Sequence, residues 1–311
     1  MTVEICEKPP RIKSRAPVLW EWVNCNLCGG NDTEPYHQER LTYFDREFDF
    51  RIVRCLQCGL VYTNPRLVDH NGTYLRGGSE APGEIERHAQ AKAPIFKRAL
   101  KEIRKQQKRQ GHAPGGTLLD VGCGSGHFLG QARRCGFEVC GIEPAEIWAA
   151  YAAETFQVPV YRDDVLKVQL PFEGFDVVTA WDVIEHVADP YAVLRRCGQW
   201  LRPGGIMALR FPSAPWQKIK GVVLHDWLSS RWPAFGATMH LYFFSKHTFE
   251  LMARRVGLEV LRLRTTSTEA NTRSLLGDCA KAISHLTLRG VEILSRRHLG
   301  NLEVYCRKVR P

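Results

Sequence analysis

Three short stretches of this chain combine residue types and spacings that do chemistry. Cys25-Asn-Leu-Cys28 and Cys55-Leu-Gln-Cys58 are two C-x-x-C turns, each followed by glycine. Such a turn lets two thiolates face one ion, and four thiolates make a closed tetrahedral zinc site. Its role would be structural, because a segment this short lacks a sufficient core of its own. The 26 residues between the pairs slightly exceed the usual ribbon loop. A second stretch, LLDVGCGSG from Leu118 to Gly126, puts Gly122, Gly124 and Gly126 directly after an apolar run. The third, Asp182-Val-Ile-Glu185-His186, sets two carboxylates beside an imidazole, the groups that remove protons or hold metal ions.

The glycine run opens an alternating pattern. TLLDVG reads as a buried strand, HFLGQARRCG as a helix stopped by Gly136, FEVCGIEP as a strand and AEIWAAYAAETFQ as a helix. VPVYRDDV is a short strand, FDVVTAWDV a strand, PYAVLRRCGQWLRPGG a helix closed by Pro203-Gly204-Gly205, and IMALRFP a strand. After a Trp-rich insertion over 213–244, SKHTFELMARRVG is a helix with a Ser N-cap and a Gly stop. LEVLRLRTT is a strand, 269–299 looks helical, and NLEVYCRKV is a last strand. Strands alternating with helices predict a doubly wound α/β sheet covered on both faces. Upstream, residues 1–20 read as a disordered tail, 21–65 as the cysteine module and 66–112 as a connector ending in a basic helix. Pro94 is expected to kink or break that helix.

The glycines need a ligand. Gly126 is followed by His127-Phe128 instead of the Lys-Ser/Thr of a phosphate cradle, and His127 stands where a dinucleotide fingerprint has its third glycine. Carboxylates mark the strand ends. Glu143 ends the second strand, where it can accept from both hydroxyls of a ribose. Asp164 ends the third, within reach of an adenine amino group, although Asp163 is equally well spaced. Asp120 ends the first. All lie at the carboxyl edge of the sheet, where ligands of open α/β sheets bind.

With these residues in place, the region from about 113 to 311 resembles the class I S-adenosylmethionine-dependent methyltransferases. The blocks that carry the resemblance are LLDVGCGSG, GIEP, DDV, FDVVTAWDVIEHVADP, LRPGG and HLYFFSKHTFELM. The fourth and fifth are similar to the branch that holds the ubiquinone and menaquinone biosynthesis enzymes. The resemblance implies a Rossmann-like doubly wound sheet of seven strands, mostly parallel with the last antiparallel, behind a small N-terminal zinc ribbon. It also implies a cofactor set of Asp120, Gly122, Cys123, Gly124, Gly126, Glu143, Asp164, Val165 and Trp181. The layout around the cysteines resembles the ribbon on many bacterial methyltransferases of natural-product, cell-surface sugar and lipid pathways.

Methyl transfer from a sulfonium needs alignment, and a hydroxyl acceptor must also lose a proton. Asp182, Glu185 and His186 follow strand four, beside the expected methyl group. Some related O-methyltransferases carry a metal-binding E-x-x-E-H there, but this chain begins the motif with the shorter Asp182. A structural role, a histidine base and a metal site all stay open. His240 and Tyr242 face the acceptor or pack in the core. Trp216, Trp227, Trp232 and Phe235 make a lid, a packed subdomain or a homodimer contact.

The formal charge of +10 permits an acidic partner without requiring one. The expected acceptor is a small molecule, a sugar or other glycan, or a lipid precursor, and most plainly a hydroxyl. RNA is the alternative, held by the ribbon and the basic stretch Lys97–Arg109. AWDVIEHV stands where nucleobase amino methyltransferases carry two prolines and an aromatic, and there is no Pro-Cys nucleophile there. No apolar run approaches the roughly 18 residues of a membrane span. Eleven cysteines without a signal-like leader predict a reducing, cytoplasmic setting.

Overall fold

The two C-x-x-C turns fold as a pair of knuckles at the start of the chain. The computed structural model describes residues 19–43, 46–68, 82–219, 235–237, 239–266 and 300–309, with backbone alone for 43, 46 and 82–89. In each knuckle the glycine N–H donates back to the first cysteine carbonyl, Gly29 to Cys25 at 2.8 Å and Gly59 to Cys55 at 2.9 Å. Both glycines have positive φ, 81° and 78°, a conformation that side chains resist. The long spacing between the pairs is a hairpin of β2 (Thr33–Tyr43) and β3 (Arg46–Cys55), in antiparallel register from Thr33↔Cys55 to Tyr43↔Arg46. A two-stranded sheet of β1 (Trp20–Glu21) and β5 (Arg66–Leu67) flanks it, and β4 (Val61–Thr63) continues the main ribbon sheet.

Helix α1 (Pro82–Arg109) runs through Pro94 without the expected break. Ala91, Ile95, Phe96, Ala99, Leu100 and Ile103 are buried, and that packing outweighs the one backbone hydrogen bond proline removes.

The alternating region then builds the main sheet from β6 (Gly116–Val121), β7 (Phe137–Ile142), β8 (Val160–Tyr161), β9 (Phe175–Trp181), β10 (Leu201–Pro212), β12 (Leu258–Thr266) and β13 (Asn301–Lys308). The strand order is β12-β13-β10-β9-β6-β7-β8, with β13 antiparallel to both neighbours and the pairs from β10 to β8 parallel. Helices α2 (His127–Arg134), α3 (Glu146–Phe156) and α4 (Pro190–Trp200) connect the parallel strands. Helix α4 stops before Pro203-Gly204-Gly205, because Leu201 already pairs with Phe175 on β9. The last helices are α5 (Ala214–Ile219) and α6 (Lys246–Arg255), the latter closed by a Ser245–Thr248 capping box. The helix read over 269–299 lies outside the described residues, as do Trp227 and Trp232.

Two features fix the site. The chain leaves β6 for β7 on one side while β9 pairs on the other, so a crevice opens at the carboxyl end of β6. And β11 (Tyr242–Phe243), which follows the insertion, pairs with β4 and completes the ribbon sheet in the order β11-β4-β3-β2. One continuous core joins Cys25, Leu27, Cys55 and Tyr62 of the ribbon to Leu119, Val178, Leu209 and Phe249 of the main sheet.

The three glycines of the loop differ in what surrounds them. A Cβ on Gly126, at φ 75°, would lie 2.7 Å from the Ala152 Cβ, whereas one on Gly124 would meet nothing within 4 Å. Gly126→Ala should therefore cost about 1–3 kcal/mol in urea denaturation through overpacking of α2 on α3, on top of the left-handed strain that both glycines share. Gly124→Ala should cost only the left-handed strain of about 1–2 kcal/mol. Equal losses would contradict this division between packing and strain.

Candidate functional site

The crevice holds a cavity of about 500 Å³. Gly122, Ile142, Glu143 and Pro144 form one wall, Arg162, Asp163, Asp164, Val165 and Lys167 a second, and Asp182, Val183, His186, Val187 and Met239 a third. A volume of that order suits a small ligand or cofactor.

Glu143 is fully buried and binds the glycine loop to β7: Oε2 accepts from Gly124 N–H at 2.8 Å and Oε1 from Ala145 N–H at 2.9 Å. Asp164 Oδ1 accepts from Leu166 N–H at 2.7 Å and so shapes the turn that carries Val165, while Asp163 Oδ1 accepts from Asp164 N–H at 2.7 Å. Both aspartates stay at the cavity wall. Asp120, Cys123 and Trp181 lie underneath. Asp120 Oδ1 accepts from Thr179 Oγ1 at 2.6 Å, Cys123 packs against Gly141, and Trp181 packs on Phe128 and Phe96. Gly126 serves helix packing at the N-terminus of α2.

At the other end of the cavity the chain turns sharply after β9, with Asp182 at φ 57°. Asp182 N–H donates to Arg210 O at 2.8 Å. Asp182 Oδ2 accepts from Arg210 Nη1 at 3.0 Å and from Lys92 Nζ at 3.2 Å. Burial works against the charged form of Asp182, but the Arg210 and Lys92 charges outweigh it and hold its carboxyl below the usual range. Glu185 goes the opposite way. It is 1 % exposed, and burial, reinforced by the negative charge of Asp182, pushes its carboxyl well up. Its Oε2 has no hydrogen-bond partner among the described residues.

Glu185, His186 and His240 come together with one ligand atom each, all within 4.8 Å of one another. His186 Nδ1 lies 3.1 Å from Met239 O, and His240 Nδ1 2.7 Å from Phe235 O. A carbonyl only accepts, so Nδ1 is the protonated nitrogen in both rings and Nε2 carries the lone pair of the neutral imidazole. His186 Nε2 lies 4.0 Å from Glu185 Oε1. A buried carboxylate oxygen without a donor and two imidazoles so oriented could hold a divalent cation. Asp182 is not part of this group, because its carboxylate is engaged by Lys92 and Arg210. Nothing in the sequence marks Lys92. Arg210 is the one charge inside the apolar run IMALRFP, which is the signal that could have found it.

The four cysteine sulfurs also lie within 4.8 Å of one another, with Cys25–Cys58 and Cys28–Cys55 at 3.4 Å. A tetrahedral site with Zn–S bonds of about 2.3 Å needs sulfurs roughly 3.8 Å apart, so the donor set and its spacing fit zinc.

Comparison with known proteins decides the family. Residues 87–263, more than half of the chain, match the family model described as a methyltransferase domain. This chain belongs to that methyltransferase family. S-adenosylmethionine is the family's cofactor. The chain is 32% identical over 138 residues to the ubiquinone biosynthesis O-methyltransferase of Rhodopseudomonas palustris (strain HaA2), covering 43% of this chain and 54% of that one. It is 46% identical over 98 residues to the protein of the same name from Caulobacter vibrioides, covering 29% of this chain and 38% of that one. The chain thus spans about half or less of the length of these curated relatives. Among solved structures it is similar to an S-adenosylmethionine-dependent methyltransferase from Mesorhizobium loti, at 17% identity and a TM-score of 0.45, covering 70% of this chain and 97% of that one. Among the described residues, no helix is long and apolar enough to cross a membrane.

Asp120 supplies a pH test of the loop. Burial pushes its carboxyl up to about 8, the Thr179 hydrogen bond opposes this and the Glu143 charge adds to it. An unfolded aspartate titrates near ~3.9, so folding takes up a proton between the two values. The contribution to stability is fully present below pH ~4 and is lost as pH rises through about 8. In the ligand-free protein, Asp120→Asn should flatten this fall, by on the order of 1 kcal/mol per pH unit between pH 6 and 8. Urea denaturation across that range checks it, and parallel slopes for variant and wild type would contradict it.

Proposed function

We propose that the enzyme methylates a hydroxyl of a small-molecule acceptor, a sugar or lipid precursor among them. The observation that carries this reading is the grouping of Glu185, His186 and His240 at one end of a cavity whose other end presents Glu143 and Asp163-Asp164. S-adenosylmethionine would lie with its ribose toward Glu143, its adenine against Asp163, Asp164 and Val165, and its methionine part along Gly122. That orientation points the methyl group toward Asp182 and His186.

An alcohol is a poor nucleophile until it loses its proton, and the two histidines are arranged to take it. With Nδ1 held by carbonyls, His186 and His240 each offer Nε2 as a base of fixed orientation. Glu185, Asp182, Arg210 and Lys92 set the field around them. Asp182 stays ionised beside two cations, while Glu185 is the carboxyl that takes up a proton or a cation. A divalent cation on Glu185, His186 and His240 would act as a Lewis acid that lowers the acceptor hydroxyl's pKa. The names of the curated relatives, ubiquinone biosynthesis O-methyltransferases, agree with oxygen as the acceptor atom.

Methyl-labelled S-adenosylmethionine offered with small catechols, sugar diols and total RNA tests the reading. Label is expected in a small hydroxyl compound, and label in RNA alone would overturn it. Against the accepted compound, His186→Ala should lower turnover by roughly 10²–10⁴ while S-adenosylmethionine affinity by calorimetry is retained. A parallel loss of affinity and thermal stability would reduce His186 to a structural residue.

We also propose one zinc per chain on Cys25, Cys28, Cys55 and Cys58. Four cysteine sulfurs within 4.8 Å of one another, two of them on buried residues, are a donor set that a cation holds as thiolates at neutral pH. Metal analysis should find one zinc in the wild type and none in Cys25→Ser/Cys55→Ser. Full zinc occupancy in the double variant would place the ligands elsewhere.

A further inference from the structure

Glu39 is an acidic residue in the middle of β2, opposite Phe50, yet it is only 7 % exposed. Carboxylates are rarely this buried without a partner. The partners here are two backbone amides of a turn far along the chain: Oε1 accepts from Phe235 N–H at 2.6 Å and Oε2 from Ala237 N–H at 3.2 Å. Phe235 itself is buried, stacked on His37 with ring centroids 4.8 Å apart.

This turn has one further property. Its carbonyls orient both histidines of the site. Phe235 O takes His240 Nδ1, and Met239 O takes His186 Nδ1. Backbone bonds from His240 N–H and Met239 N–H to Gly236 O, at 2.9 and 3.0 Å, close the turn on itself. Beyond it, Thr63 on β4 donates from Oγ1 to His240 O at 3.0 Å. The ribbon therefore grips the turn at its start through Glu39 and at its end through Thr63.

We propose that Glu39 is a positioning residue: through the 235–240 turn it sets the ring orientation and tautomer of His240 and His186, so that the zinc ribbon completes the methyl-acceptor site. The role in methyl transfer rests on the function proposed above; the positioning does not. Outer partners of this kind typically affect activity by 10–100-fold when removed. The hairpin that lengthens the spacing between the two cysteine pairs is the element that delivers Glu39.

The test reads tautomers directly. Zinc-loaded full-length protein with ¹⁵N-labelled histidine is studied by NMR at a pH where the rings are neutral, with His186 and His240 assigned by single substitution. In the wild type both rings should show protonated Nδ1. Glu39→Gln keeps the side-chain shape but turns an amide NH₂ toward a backbone N–H. It should lose the Nδ1–H pattern at His240 and mix it at His186, while S-adenosylmethionine affinity by calorimetry is retained and turnover falls about 10–100-fold. Unchanged tautomers in Glu39→Gln would overturn the proposal, as would Nε2–H on both rings of the wild type. If Glu39→Gln shows no cooperative melt, Thr63→Val, which removes only the hydroxyl bond to His240 O, should mix the His240 tautomers, and an unchanged spectrum overturns the proposal. Altered tautomers with undiminished methyl transfer would support the positioning and overturn the catalytic role of the histidines instead.

Discussion

The carbonyl of Glu185 accepts two backbone hydrogen bonds, from Leu241 N–H at 2.7 Å and from Tyr242 N–H at 3.2 Å. This junction is where the seven-stranded main sheet and the four-stranded ribbon sheet meet. Glu185 stands in the loop that leaves β9 of the main sheet, and Tyr242 begins β11 of the ribbon sheet. Backbone bonds within a buried core are short of alternatives, since an orphaned amide there costs as much as a lost hydrogen bond. The register of the ribbon against the main sheet is thereby fixed, and with it the distance between His186 and His240.

Other contacts enforce the same seam. The Asn26 side chain, inside the first knuckle, donates to Asp189 Oδ1 and accepts from Tyr191 N–H at the start of α4. Arg66 donates to Ala188 O and to the Tyr242 hydroxyl, and Arg255 donates to Leu27 O. Together with the shared apolar core, these contacts fix the ribbon against the loop and turn that carry His186 and His240. The four cysteine sulfurs converge at the base of this support, and Cys25 and Cys55 are buried in the shared core.

Charge is distributed with the same economy. Two carboxyls three residues apart are driven in opposite directions, Asp182 by Arg210 and Lys92 and Glu185 by burial. A site that must both accept a proton and remain ionised needs such a separation, and it is achieved by which cations reach which carboxylate.

The sequence by itself determined the doubly wound sheet, the glycine loop, the carboxylates at the strand ends and the four cysteines. These are local signals: apolar runs of strand length, glycines clustered after a strand, and cysteine pairs with two residues between them. Glu143 needs only its place at the end of β7 to reach the loop. Tertiary structure decided the rest. Pro94 stays within α1 because packing along that helix exceeds the local cost of proline. Asp182 stays at the cavity wall beside His186, but Arg210 from β10 and Lys92 from α1 engage its carboxylate. His240 reaches Glu185 and His186, and Glu39 and Thr63 hold the turn, through contacts between residues far apart in the chain. The acceptors that fix both histidines are backbone carbonyls, which every residue carries, so no side-chain pattern could announce them.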